Sequence, residues 1–211
     1  NKLTIQAQNA LLKTIEEPPT EVYIIILCES LELILDTIKS RCEIYKLTPL
    51  TKDELYKYMA IKGYECSEEE KLSAIAFSEG IPGRIDRYFS DTELQELRDK
   101  IVDLLLQLTN NEIEAILEKE EQLVSYKQNK EEVVNVLSSF IRDILVNKEV
   151  YNENLIINRD KIRSIERLTN EMSFKKLNKM LLGLQEARKN IKNNVSWAMT
   201  VRIMLMDFME G

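Results

Sequence analysis

The sequence predicts a mostly α-helical protein whose residues 1–50 form the closing part of an α/β domain. Three observations carry that reading. The 211 residues include only 5 Gly and 4 Pro, with abundant Leu, Ile, Glu and Lys, a balance that favours helices. Apolar residues recur at helical spacing in stretch after stretch from Leu94 to Phe208. Against this stands Val22-Tyr23-Ile24-Ile25-Ile26-Leu27, a continuous β-branched run that suits a strand buried on both faces.

The elements follow in order. Ile5, Ala7, Leu11, Leu12 and Ile15 have a helical period between Thr4, a fair N-cap, and Glu17. Pro18-Pro19 ends that helix, because a residue before proline is pushed out of the α region. The buried strand comes next, and a second short strand is expected at Cys42 to Leu47. From Leu50 the β character disappears. Thr51-Lys52-Asp53-Glu54 and Ser67-Glu68-Glu69-Glu70 read as capping boxes opening two short helices, and Gly80-Ile81-Pro82-Gly83 as a sharp break.

Leu94, Leu97, Ile101, Leu105 and Leu108 then make one stripe, and Thr109-Asn110-Asn111-Glu112 caps a helix carrying Ile113, Ile116, Leu117, Leu123 and Val124. Val134, Leu137, Ile141 and Ile144 form a third stripe, followed by a polar connection around Asn147 to Asn158. Ile162, Ile165, Leu168 and Met172 start the last group, Leu177 to Ile191 continue it, and Trp197, Val201, Leu205 and Phe208 finish it. The carboxyl half reads as an all-α bundle.

Composition limits the function classes. A net charge of −7 argues against a whole-surface nucleic-acid platform. Cys28, Cys42 and Cys66 are widely spaced and odd in number, which suggests neither a zinc site nor a disulfide framework but reduced thiols in a cytosolic protein. No apolar run approaches a bilayer-spanning length, so no membrane partner is expected. The chain starts at Asn1 in mid-pattern, as a fragment would.

Few residues compete for a chemical role. Arg41, within Ser40-Arg41-Cys42, is expected at the C-terminal edge of the sheet, where ligands and neighbouring subunits meet in open α/β folds. Local composition alone favours a surface arginine that neutralises nearby acids. The competing reading is an arginine acting in trans on a transferred phosphoryl group, since a guanidinium is permanently charged and forked. Glu16-Glu17 and Glu68-Glu69-Glu70 lie at helix ends, where carboxylates solvate the chain or favour the helix dipole. Gly80-Ile81-Pro82-Gly83-Arg84 lacks the spacing of a phosphate loop and reads as a turn between helices. Met199, Met204, Met206 and Met209 read as core and interface packing, and Trp197 as an anchor. Lys175, Lys176, Lys179, Arg188, Lys189 and Lys192 give the later helices a basic, solvated side.

Two segments match a known pattern. Gln8-Asn9-Ala10-Leu11-Leu12-Lys13-Thr14-Ile15-Glu16-Glu17-Pro18-Pro19 resembles the helix after the Walker B strand in bacterial clamp-loader subunits of the AAA+ family. Thr37-Ile38-Lys39-Ser40-Arg41-Cys42 resembles the Ser-Arg-Cys motif of the same family. The resemblance implies the end of an AAA+ α/β domain at 1–50, a helical lid domain at 51–91 and a helical collar, the oligomerisation domain, at 92–211.

It also implies a site. Arg41 would be an arginine finger reaching ATP bound by a neighbouring subunit, with Ser40 and Cys42 setting its position. The partners implied are gamma/tau and delta subunits in a hetero-pentameric ring, and through the ring the sliding clamp and primed DNA. Departures from the pattern imply a subunit that does not hydrolyse ATP itself. Two of them carry that inference: Cys28-Glu29 stands where a sensor threonine is usual, and Arg84 sits one place beyond the sensor-arginine position at Gly83; Asp36 in place of a common proline is a further departure. A one-residue shift would restore Arg84 as a sensor, so a gamma/tau-type ATPase subunit stays as the alternative. A nucleotide loop, Walker B acids and a zinc module would all lie upstream of Asn1.

Overall fold

The structure is a computed structural model that describes residues 3–28, 30–110, 113–150 and 152–209. The chain divides into two compact units, Asn1–Thr48 and Pro49–Gly211. Among the described residues the regular structure is helical throughout, with no β-strand.

This corrects the expected α/β remnant. Val22–Leu27 and Cys42–Leu47 are irregular, and Tyr23, Ile25, Leu27, Tyr45 and Leu47 are exposed. Among the described residues, no backbone group from Tyr23 to Leu27 or from Glu43 to Leu47 bonds to another backbone group. A strand is a property of a pair: β-branched residues favour the pleated state only where a neighbouring strand supplies the ladder. The apolar run has the composition of a strand without the partner that would make it one.

In the first unit, helix α1 (Ile5–Glu16) opens with Thr4 as N-cap, whose hydroxyl accepts from Ala7 N–H at 3.2 Å. It closes before Pro18-Pro19, as the restriction on residues preceding proline requires. A 3-10 turn, Leu31–Leu33, leads into the short helix α2 (Asp36–Lys39), anchored by buried Ile34 and Ile38.

The second unit contains α3 (Lys52–Lys62), α4 (Glu68–Ser78) and α5 (Pro82–Ser90). Both expected capping boxes are present: Thr51 with Glu54, and Ser67 with Glu70. The break between α4 and α5 is built on Gly80, at φ +85°, a left-handed conformation that costs any residue with a Cβ. A Cβ there would also sit 2.5 Å from Pro49 Cβ, while the Gly80 carbonyl accepts from Leu50 N–H at 2.8 Å. Pro82 then occupies the first turn of α5, where its missing N–H is not needed. These helices share a small core of Leu55, Met59, Ala74, Ile75, Ile85 and Tyr88.

Six further helices follow among the described residues: α6 (Thr92–Asn110), α7 (Ile113–Ser125), α8 (Lys130–Val150), α9 (Ile162–Glu171), α10 (Phe174–Lys192) and α11 (Trp197–Met209). The stripes read from sequence at Leu94–Leu108, Val134–Ile144 and Ile165–Met172 are buried in one large cluster, with Trp197, Val201, Leu205 and Phe208. The expected cap at Asn111-Glu112 lies outside the described residues, as do Asn1, Glu29 and the side chains of Ile113, Ile116 and Leu117. Trp197 donates its indole N–H to the Leu123 carbonyl at 3.0 Å, tying α11 to α7. Gly183 lets α10 approach α11, since a Cβ there would meet Asp207 Cβ at 3.3 Å.

Candidate functional site at Arg41

The site grows from a four-residue helix with little intrinsic stability. Helix α2 has no side-chain N-cap bond, and Lys39 pairs with Asp36 at 2.5 Å across one turn. The ammonium beside Asp36 holds that carboxyl below its ordinary range. So short a helix stays formed by tertiary contact, here the burial of Ile38 and the grip of α1 on the segment before it.

That grip comes from Gln8, the buried residue of α1. Its amide nitrogen donates to the carbonyls of Leu33 at 2.9 Å and Leu3 at 3.3 Å. Its amide oxygen accepts from Leu35 N–H at 2.9 Å. One side chain thus replaces the peptide group that would otherwise have to satisfy this turn. Its importance is not legible from sequence spacing, because the partners are backbone atoms 25 and 27 residues away.

Arg41 lies just past the C-terminus of α2, which replaces the expected position at the end of a strand. One guanidinium nitrogen, Nη1, donates to the Thr37 carbonyl at 2.8 Å and to Ser40 Oγ at 3.3 Å. The other, Nη2, pairs with Glu16 Oε1 at 2.6 Å. The Ser40 hydroxyl itself donates to the Thr37 carbonyl at 3.1 Å. Both Arg41 and Glu16 side chains remain substantially exposed, at 39% and 47%. Ser40 therefore touches the guanidinium, whereas the half-buried Cys42 thiol makes no hydrogen bond among the described residues.

Glu16 is the partner that sequence reasoning treated only as a helix-end carboxylate. The two residues are 25 apart in sequence, so only the fold shows the pairing. An exposed ion pair of this kind contributes no more than about 1 kcal/mol. The guanidinium is thus oriented by the α2 carbonyl and only loosely retained by Glu16.

Arg84 belongs to the second unit, in the first turn of α5. Its guanidinium donates to Glu79, the left-handed residue that closes α4. The Glu68-Glu69-Glu70 run caps α4, with Glu70 closing the box. Of the basic residues on α10, Lys176 is half-buried and donates to the Leu108 carbonyl at 2.8 Å. Burial pushes its ammonium below the ordinary lysine range. Met204 is buried, while Met199, Met206 and Met209 are exposed. Among the described residues no group of His, Cys, Asp or Glu is arranged to hold a metal ion, and no helix is long and apolar enough to cross a membrane.

Known proteins share both ends of this chain. A family model described as DNA polymerase III, delta subunit, matches residues 1–51. A second, DNA polymerase III, delta subunit, C terminal, matches residues 103–209. The chain is 23% identical over 214 residues to DNA polymerase III subunit delta' of Bacillus subtilis, covering 100% of this chain and 64% of that protein. It is 36% identical over 81 residues to subunit delta' of Escherichia coli, covering 38% of this chain and 24% of that one. It is 39% identical over 71 residues to subunit gamma of Buchnera aphidicola from Schizaphis graminum, covering 32% and 20% respectively. The chain thus spans less than two thirds of the length of these relatives. With residues 103–209 making up half of its length and the first 51 also matched, the chain belongs to the DNA polymerase III delta subunit family.

Proposed function

We propose that the chain is a delta-prime-type subunit of the DNA polymerase III clamp loader that does not itself hydrolyse ATP. It joins gamma/tau and delta subunits in a hetero-pentameric ring and presents Arg41 to ATP held by a neighbour, while the sliding clamp is loaded on primed DNA. In this reading residues 51–91 serve as the lid and residues 92–211 as the ring-forming collar.

The observation that carries the reading is the state of Arg41. Its guanidinium is exposed, oriented by the Thr37 carbonyl and Ser40, and engaged by a single exposed carboxylate. A phosphate arriving from outside competes on favourable terms with such a partner, because the bond to Glu16 is solvent-screened and a bidentate Arg–phosphate pair is stronger. Arg84, paired with Glu79, would act as a nucleotide sensor in the gamma/tau-type alternative.

The similarity to subunit gamma of Buchnera favours a second reading, an ATP-hydrolysing gamma/tau-type subunit. The alignment with subunit delta' spans the whole chain, and that with gamma spans 32% of it, which supports the delta-prime reading. The test is Arg41→Ala in a reconstituted loader. DNA-stimulated ATP hydrolysis is expected to fall about ten-fold or more, as removal of a trans arginine does. Full hydrolysis together with full clamp loading would sink the proposal.

A further inference from the structure

Within the second unit, helices α4, α5, α8 and α10 enclose an open cleft of about 810 Å³. Its chemistry is lopsided. Five arginines and two glutamates, Glu79 and Glu132, are the only charged side chains lining it among the described residues. The floor is apolar: Phe77 and Leu181, both partly buried, pack there against the large core, alongside the buried Leu184.

The arginines differ in how fully they are used. Arg98 is buried and committed to Asp160 at 2.7 Å. Arg84 and Arg87 lean on the two lining glutamates, and Arg142 donates to Asp143 at 2.8 Å and to the Leu155 carbonyl at 2.9 Å. Arg188 is the exception. It is exposed, and among the described residues it pairs with no carboxylate, donating only to Ser138 Oγ at 2.7 Å. A guanidinium has five N–H donors, so most of this fork faces the cleft or solvent without a protein acceptor.

We propose that this cleft binds an acidic peptide segment of a partner protein, one that carries an apolar side chain between carboxylates. The carboxylates meet Arg188 and Arg142, whose planar forks match that geometry. The apolar side chain covers the floor formed by Phe77 and Leu181. A nucleic-acid strand fits less well. Its phosphates would run past the carboxylates of Glu79 and Glu132.

The test uses the full 211-residue chain and fluorescence anisotropy. The probe is a fluorescein-labelled peptide of alternating aspartate and leucine closed by a phenylalanine. Saturable binding in the tens of micromolar is expected. It should weaken about ten-fold in Arg188→Ala, the loss expected for one charge-assisted contact, and further in Arg188→Ala/Arg142→Ala. Arg188→Lys should recover part of the loss. Arg167→Ala, on α9 and outside the cleft, should bind as the parent does. Circular dichroism melts keep folding separate from binding, since an exposed arginine tethered to one hydroxyl contributes little to stability. Equal binding by the parent and Arg188→Ala would overturn the proposal. So would undiminished binding of a peptide with serine in place of its apolar residues, or displacement of the peptide by oligothymidylate.

Discussion

Arg98 is the residue on which the second unit turns. It occupies a position one would assign to the apolar stripe, between Leu97 and Ile101, and it is as buried as they are. Its guanidinium lies 4.7 Å from the centre of the Tyr88 ring and donates to the Tyr88 hydroxyl at 2.9 Å. It also donates to Asn158 at 3.2 Å and Asp160 at 2.7 Å, and the Asp160 N–H donates to Ser73 at 3.0 Å. Nearby Asp143, equally buried, accepts from the backbone N–H groups of Ile157 and Asn158. Breaking one side of a buried pair leaves an uncompensated charge, which costs about 3–5 kcal/mol. Arg98→Met should therefore lower stability by about 3 kcal/mol or more in urea unfolding, and Arg98→Met/Asp160→Asn should recover part of that. An additive double variant would count against the pairing. The sequence does hold a signal for both residues, since a lone charge at a stripe position demands a partner. It does not identify that partner, because Asn158 and Asp160 lie in the connection between α8 and α9, at and within a 3-10 turn at Arg159–Lys161.

At the scale of elements, what was legible was whatever is local. The capping boxes at Thr51 and Ser67, the Pro18-Pro19 stop and the apolar stripes at Leu94–Leu108, Val134–Ile144 and Ile165–Met172 each rest on interactions within a few residues, and the structure bears them out. The two expected strands failed for the opposite reason: pairing is non-local, and the run at Val22–Leu27 names no partner. The caps also set a pH dependence. Hydrogen bonding from the Thr51 backbone holds the Glu54 carboxyl below its ordinary range, and the Leu94 N–H does the same for Asp91 at the start of α6. A carboxyl lowered in the folded state contributes its full stability above its unfolded pKa and loses it as pH falls through the folded value. Asp143 works the other way, since burial raises its carboxyl and acidification relieves that cost. The lowered groups predict a melting temperature that falls as pH drops below about 4. In Asp91→Asn, which keeps a capping side chain, that fall should be shallower; an unchanged acid limb would refute the assignment.

For the whole molecule, the large core of α6–α11 and the proposed ring function make one demand. Deleting the chain after residue 92 removes that core and is expected to abolish ring formation, read by gel filtration with the partner subunits. A gentler variant separates assembly from folding. Met199, Ile203 and Met206 recur at helical spacing on the exposed side of α11, so Met199→Glu/Met206→Glu should leave the melt unchanged yet weaken assembly. Retained assembly in both variants would count against the collar role. The sequence reads these methionines as core and interface packing together, and only the fold separates buried Met204 from exposed Met199, Met206 and Met209, because both sides of α11 are apolar.

Helices α5 and α6 are joined by Asp91 alone. Its carboxylate holds Leu94 N–H on one side and Arg87 on the other, at 3.0 Å and 2.9 Å. A bend at that link would drag Tyr88 off the Arg98 guanidinium and pull Ser73 away from Asp160. Bending at that link would have to break these hydrogen bonds together, which couples the orientation of α4 and α5 to that of α6.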